Sequence, residues 1–337
     1  MRNLARRQVS ARDVAELAGV SRTAVSRAFT PGASVSAKTR AKIEAAAAEL
    51  GYHVNHLARG LITAQTGLVA LIAAELHTPF RAAMLAALSE SLQAAGRLGL
   101  LINTDRSDES VARALRQAIA YRTDAAIVLS GMPESALAET CLRNGMRLVL
   151  INRDEAGPGT TMIRLGDAEA GRQAFAALAA AGCQRLALAH SRAGTPSLAA
   201  RAEGFRAAAA EAGRTLTEAC DGPTSYQTGL DLGSRLLTRP DRPDGIFCAT
   251  DLIAFGVIDA ARHRFGLDVP GDVSVIGFDD VEQAGWEGYA LTTFRQPVEE
   301  IARQAVASLD AGAPEEAQRI TLPVPMVWRR SVRQPPR

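Results

Sequence analysis

From Leu68 onward the chain alternates short apolar runs with amphipathic stretches of helical length, and that alternation restricts its fold more than any other feature. The runs are L-V-A-L-I-A at 68–73, L-G-L-L-I-N at 98–103, A-A-I-V-L at 125–129 and R-L-V-L-I-N at 147–152, with helical stretches starting at Phe80, Asp108 and Glu134. Apolar runs of strand length that are separated by helices give a parallel sheet covered on both faces. The pattern restarts after M-I-R-L-G-D at 162–167, with R-L-A-L-A-H, D-G-I-F-C-A and V-S-V-I-G-F, each set apart by a helical stretch. Two α/β lobes follow from this restart. Late in the chain, L-T-T-F-R-Q at 291–296 and an amphipathic stretch from Pro297 add one more strand and helix.

A chain of 337 residues is too long for one ordinary domain and fits two or three. Its nearest approach to a membrane span, Leu68 to Leu76, contains Glu75 and is about one strand long. The N-terminal M-R-N-L-A-R-R-Q-V-S has charges with no apolar segment after them, so no secretory signal is read and a cytoplasmic protein is expected. Cys141, Cys183, Cys220 and Cys248 are far apart with no C-x-x-C, which suggests buried free thiols and no metal site. The overall charge of +2 hides an asymmetry: residues 1–65 hold ten Lys and Arg against four Asp and Glu, and the rest holds 28 against 32. A basic excess confined to one end is the footprint of a phosphate-binding module.

That end reads as three helices. Ser10 caps the first, with Asp13 at the capping-box position and Val14, Leu17 and Ala18 along one face, and Gly19 stops it. Ser21 caps the second after a short turn, and Val25 and Phe29 face back toward the first. This pairing is a helix-turn-helix. A third helix runs from Ser36 through Lys38, Arg40, Ile43 and Leu50 to Gly51. In such a unit the second helix enters the major groove, where bidentate Arg is the commonest reader of guanine. Ser21, Arg22, Thr23, Ser26 and Arg27 then form the reading face, and Lys38 is a phosphate contact. Beyond Gly51, Asn55 caps a short helix with Leu57, Ala58, Leu61 and Ile62, too short to be stable by itself.

The motifs V-S-A-R-D-V-A-E-L-A-G-V-S-R-T-A-V-S-R, V-S-A-K-T-R and A-A-E-L-G-Y, in this order, resemble the DNA-binding headpiece of the lactose-repressor (LacI-type) family. The resemblance implies a hinge helix that orders on the operator, with Asn55, Ala58 and Leu61 on its DNA side and Leu61 as an apolar wedge in the minor groove. It also implies a periplasmic-binding-protein-like body, in which G-F-D-D-V and L-T-T-F-R-Q-P form the last crossing between lobes. The expected boundaries are a headpiece at 1–54, a hinge helix and linker at 55–66, and a ligand-binding and dimerisation domain at 67–337. Its N-lobe is expected at about 67–164 and 294–320, and its C-lobe at about 165–291 and 321–330. No leucine heptads follow Trp328, so a tetramer-forming tail is not expected.

Ligands of such sheets bind beyond the strand C-termini, here in the cleft between the lobes. The strand ends offer Ile72 to Leu76, Asn152-Arg153, the loop after His190, Thr250-Asp251 and Phe278-Asp279. By the resemblance, Arg201 in R-A-E-G-F, Asn152 and Asp279 match pocket positions. Thr250 and Asp251 stand where A-x-N-D is common, so a hydroxyl replaces an amide there; Trp286 in Q-A-G-W-E-G-Y offers an aromatic face. A buried Arg opposed to Asp and amides suits a polyhydroxylated effector. Neither a G-x-G-x-x-G after a strand, a G-x-x-x-x-G-K-[ST], a G-x-S-x-G nor an H-E-x-x-H occurs. An enzyme or a cofactor is therefore not expected, and an exported solute-binding protein of the same fold would lack the basic headpiece. The expectation is a repressor that binds a pseudo-palindromic double-stranded operator as a homodimer and is switched by a small carbohydrate.

Overall fold

A computed structural model describes residues 9–30, 32–53, 65–105, 107–129, 131, 135–153, 157–311 and 314–334. Contacts divide the chain into two units, Met1–Thr66 and Gly67–Arg337. Asn55, Ala58 and Leu61, the hinge residues expected from the sequence, lie outside the described residues.

In the first unit, helices α1 (Ala11–Ala18), α2 (Arg22–Ala28) and α3 (Ala37–Leu50) pack around Val14, Val25 and Ile43. Each of these three side chains is essentially inaccessible, and each contributes about 1.5–3 kcal/mol of burial. The Ser10 backbone N–H and hydroxyl both donate to the Asp13 carboxylate, at 2.8 and 2.7 Å, which closes the start of α1. Gly19 and Gly51 end α1 and α3 at φ 64° and 63°, a left-handed conformation that costs a residue without Cβ least. The Arg40 guanidinium donates to the Ala28 carbonyl and so ties α3 to the end of α2. Leu17 departs from the sequence reading: it is 47% exposed, because the small Ala15 and Ala18 take the inward side of the α1 turn.

The second unit contains two parallel sheets. The first has the order β2 (Leu98–Asn103), β1 (Leu68–Ala73), β3 (Ala125–Val128), β4 (Arg147–Ile151), β5 (Thr160–Leu165) and β11 (Gln318–Leu322). The second has the order β7 (Leu216–Asp221), β6 (Leu186–Ser191), β8 (Gly245–Cys248) and β9 (Ser274–Ile276). Helices α4 (Pro79–Ala94), α5 (Asp108–Ala120) and α6 (Ser135–Arg143) connect strands of the first sheet, and α11 (Val298–Asp310) packs against α4. Helices α7 (Asp167–Ala180), α8 (Pro196–Glu211), α9 (Tyr226–Leu237) and α10 (Asp251–Asp259) cover the second.

Side-chain alternation assigns the layers. On β1, Val69, Leu71 and Ala73 join one core with α4 and α11, while Ala70 and Ile72 join another with Val111 and Leu115 of α5. On the second sheet, Leu186, Leu188 and Phe247 face α7 and α8, while Ala187, Ala189 and Ile246 face α9 and α10. The chain passes between the lobes at 165–167, near 295–298 and at 322–326. The stretch L-T-T-F-R-Q departs from the expectation that the first lobe resumes at about 294. Its strand β10 (Thr293–Phe294) pairs with β12 (Met326–Val327), and Thr292 and Arg295 bridge to Ile276 and Asp279 of the second lobe. Only from α11 onward does the chain rejoin the first sheet.

Candidate functional site

On α2 the sequence separates an inner side from an outer one. Val25 and Ala28 are buried, whereas Ser21, Arg22, Thr23, Ser26 and Arg27 are exposed. The Ser21 hydroxyl accepts the Ala24 N–H at 3.2 Å, so its role is to start the helix, which frees the next residues to project. Arg22, Arg27 and Lys38 have no carboxylate within ion-pair range among the described residues, in contrast to Arg12, which meets Glu16 at 2.9 Å. Uncommitted cations beside hydroxyls on one short helix suit both phosphate and base-edge contacts.

The second candidate is a cleft of about 840 Å³, open to solvent, at the C-terminal ends of the strands between the two lobes. Asn152, Arg201, Thr250 and Asp279 all line it. Arg201 is placed by helix geometry. Where α7 crosses α8, a Cβ on Gly171 would come 2.2 Å from the Arg201 carbonyl and one on Gly204 would come 1.9 Å from the Ala168 carbonyl. Only glycine permits this approach, and it brings Arg201 against Asp167 at the start of α7.

The Arg201 guanidinium, 4% exposed, donates through Nε to Asp167 at 2.8 Å and through Nη1 to the Ala249 carbonyl at 2.9 Å. It stacks 3.4 Å over the Phe278 ring, and Asp279 Oδ1 lies 3.7 Å from Nη1. Burial pushes the Asp279 carboxyl above the ordinary carboxylate range, and Arg201 pulls it back down. Three residues of the cleft wall hold a positive φ without being glycine: Glu75 at 56°, Asn152 at 56° and Asp279 at 138°. Such conformations cost on the order of 1–3 kcal/mol each and concentrate where a binding surface needs a fixed backbone.

Two residues expected in the cleft do not line it. Asp251 is fully buried behind the wall, where its carboxylate accepts the Thr293 hydroxyl at 2.5 Å and the Val281 N–H at 3.0 Å. The cause is its place as the first residue of α10, which turns the side chain toward the 281–293 segment and leaves Thr250 at the cleft. Burial, followed by the neighbouring Asp279 charge, pushes the Asp251 carboxyl well up. Trp286 is 51% exposed and closes a 3₁₀ turn over Glu282–Gly285 on the outer surface, where its carbonyl accepts the Ala290 N–H at 2.7 Å. Its side chain is not part of the cleft wall.

The structure also contributes residues that the sequence reading did not single out. Asp167 was findable in principle, since a buried Arg requires a partner carboxylate. Gln296, 4% exposed, lines the cleft and donates its amide to Asp279 at 2.6 Å. The four cysteines are free thiols, three buried and Cys220 partly so, and among the described residues no three His, Cys, Asp or Glu side chains gather to hold a metal ion. No helix among the described residues is long and apolar enough to cross a membrane.

Comparison with known proteins places the chain in a family. Residues 10–55 match the family model described as bacterial regulatory proteins, lacI family, and residues 175–332 match a periplasmic binding protein-like domain. The HTH-type transcriptional regulator DegA of Bacillus subtilis is 30% identical over 328 residues, which is 95% of this chain and 96% of that protein. The ribose operon repressor of Escherichia coli is 30% identical, with 88% of this chain and 90% of that protein covered. Among solved structures, the lac repressor dimer bound to operator and the anti-inducer ONPF superposes with a TM-score of 0.87 at 26% identity, over 97% of this chain and all of that one. With relatives of this similarity spanning nearly its whole length, the chain belongs to the LacI family of bacterial regulatory proteins, which are DNA-binding transcriptional regulators and not enzymes.

Proposed function

We propose that this regulator is a repressor that binds a pseudo-palindromic operator as a homodimer and releases or grips it according to a small carbohydrate bound between the lobes. Each protomer places α2 in the major groove of one half-site, with Arg22 and Arg27 at base edges and Lys38 at the backbone. A single headpiece makes too little contact for tight specific binding, so two-fold pairing is part of the reading. Asn55, Ala58 and Leu61 act as the hinge in this reading. The observation that carries it is the face of α2, where four exposed polar or cationic residues stand opposite the buried Val25 and Ala28.

The effector reading rests on Asn152, Arg201, Thr250 and Asp279 lining one cleft, a set of directional donors and acceptors suited to hydroxyl groups. The ribose operon repressor and a CelR–cellobiose complex among the relatives point to the same ligand class. A ligand that prefers one lobe orientation shifts the population and so changes operator affinity; a coupling of ~1–3 kcal/mol gives roughly a 5- to 150-fold change. Sequencing of genomic fragments retained by the purified protein at near-physiological salt tests the proposal. Enrichment of a short inverted repeat, with its affinity altered by added sugars, supports it. Retention of no common sequence, with or without cell metabolites, refutes it.

A further inference from the structure

The charged side chains of the cleft are divided unequally between the two lobes. On the second-lobe side Arg201 faces two carboxylates, Asp167 at 2.8 Å and Asp279 at 3.7 Å, so its charge is matched within the protein. On the first-lobe side the wall holds Arg81 and Arg153 against one carboxylate, Glu75. Among the described residues, that side of the cleft carries a surplus of positive charge.

Local structure places both guanidinium groups. β4 ends at Ile151 and Asn152 leaves it at φ 56°; Arg153, only 6% exposed, then donates through Nη2 to the Leu129 carbonyl at 2.5 Å, just past the end of β3. A carbonyl orients a guanidinium without neutralising it. Arg81 is the third residue of α4, whose first turn has no acidic residue and whose N-cap, Thr78, makes no side-chain cap. Thr78, Phe80 and Arg81 all line the cleft, so the partial positive charge at the start of α4 adds to the same wall. Each of the two arginines is engaged elsewhere, yet the Nε of each is buried and meets no protein acceptor. A buried cationic donor is best satisfied by an anionic acceptor, because charge-assisted hydrogen bonds are about twice as strong as neutral ones.

We propose that the effector of this regulator is an acid: a hydroxylated molecule with a carboxylate or phosphate group that Arg81 and Arg153 bind on the first-lobe wall. This rests on the reading of the cleft as the effector site, and it narrows the carbohydrate to a sugar acid or a sugar phosphate. A neutral sugar would cover the surplus charge without matching it, which is costly, whereas an oxyanion matches the charge as it covers it. The hydroxyl groups remain for Asn152, Thr250 and Asp279, so one molecule is held on the two lobes by different chemistry.

The test is calorimetric titration of the full chain with D-glucose, D-gluconate and D-glucose 6-phosphate, and with D-ribose and D-ribose 5-phosphate, each at low and high salt. At least one acid is expected to bind at least tenfold tighter than its neutral counterpart, and salt should shrink that advantage. Whether gluconate or a phosphate ester wins tells the carboxylate from the phosphate. Arg153→Met should bring the acid down toward the neutral sugar, and Arg153→Lys, which keeps the charge, should retain part of the difference. Arg81→Met repeats the test on a half-buried residue, where folding is less at stake. A merely structural role would weaken acid and neutral sugar alike and leave their ratio unchanged. If neutral sugars bind as tightly as the acids, or if both Met variants keep the preference, the acid requirement is refuted. The cleft reading survives that result when the cleft-filling Leu252→Trp abolishes binding, and it fails when Leu252→Trp binds as the parent does. Binding of none of the five probes by the parent chain also overturns the proposal, and the operator selection with cell metabolites then decides the cleft reading by itself.

Discussion

Replacing Arg201 by Met tests the balance of the cleft most directly, because it removes a buried charge while keeping much of the side-chain volume. Asp167 and Asp279 are 8% and 9% exposed, so each loses its nearest cation without gaining water. Breaking a buried pair by removing one partner costs about 3–5 kcal/mol, a large share of the ~5–15 kcal/mol that holds a domain together. Both Trp286 and Trp328 lie in the Gly67–Arg337 unit, so denaturant titration followed by tryptophan fluorescence reports on this unit alone. The loss should depend on pH with a definite sign. Without the guanidinium the Asp279 carboxyl, already raised by burial, rises further. The folded state then holds a proton that the unfolded state releases above ~3.9, so stability is highest in acid and falls as pH rises through the folded value. The deficit should therefore be larger at pH 8 than at pH 5. Adding Asp167→Leu to Arg201→Met should recover part of it, since a buried pair replaced as a whole is often nearly neutral. A loss under ~1 kcal/mol, or a loss of the same size at both pH values, would show that the charges are not buried as described.

Arg27→Ala should cost on the order of 1–3 kcal/mol of operator binding and relax preference at one base pair per half-site, whereas Lys38→Ala should weaken all sequences alike; binding to randomised operators distinguishes the two. Gly204→Ala forces a methyl to within 1.9 Å of the Ala168 carbonyl, so α7 and α8 must separate, and ~1–3 kcal/mol or more of stability should be lost in denaturant melts. Asp251→Asn removes a carboxyl that burial raises above its unfolded value; the parent chain should lose stability as pH rises from ~4 toward neutrality, and the variant should show a shallower slope in melting temperature against pH.

The parallel strands at the centre of the sheets were legible because they are apolar on both faces. β1 coincides with the run L-V-A-L-I-A, and β3, β4, β6 and β8 fall within a residue or two of theirs; the edge strand β2 was legible as well, because its run L-G-L-L-I-N is apolar in sequence although Leu98 and Leu101 are exposed. The edge strands β7 and β11 were not legible as strands. Each has one neighbour instead of two and, unlike β2, no apolar run, and β7 carries Glu218, which pairs with His190 at 2.6 Å and with Arg206 at 2.6 Å, where an inner strand would carry an apolar residue. For the cleft, strand ends correctly indicated which loops converge, since topology alone decides that. They do not decide which way a side chain turns. Thr250 and Asp251 are adjacent, yet the helix start between them sends one to the cleft and the other into the core. Gln296 was hidden for a related reason: a Gln before Pro reads as an ordinary helix entrance, and its partner Asp279 is distant in sequence.

The position of the two edges has a consequence for how the chain comes to be folded in the cell. The first sheet ends on β11 at 318–322, and the second is completed beside β9 by the segment around Ser331, whose hydroxyl donates to the Val275 carbonyl at 2.6 Å while the Val275 N–H donates back to its own carbonyl at 2.8 Å. During synthesis at ~5–20 residues per second, the first sheet lacks β11, and the second, whose four strands end at Ile276, lacks its cover at Ser331, until residues beyond 318 have emerged from the ribosome. The headpiece has no such debt and can assemble as soon as Gly51 is out. The nascent polypeptide thus carries a finished DNA-reading module ahead of a body whose two halves are completed together and late, and a premature stop near residue 315 leaves both halves with an open β-edge, the kind of surface that quality-control chaperones and proteases recognise.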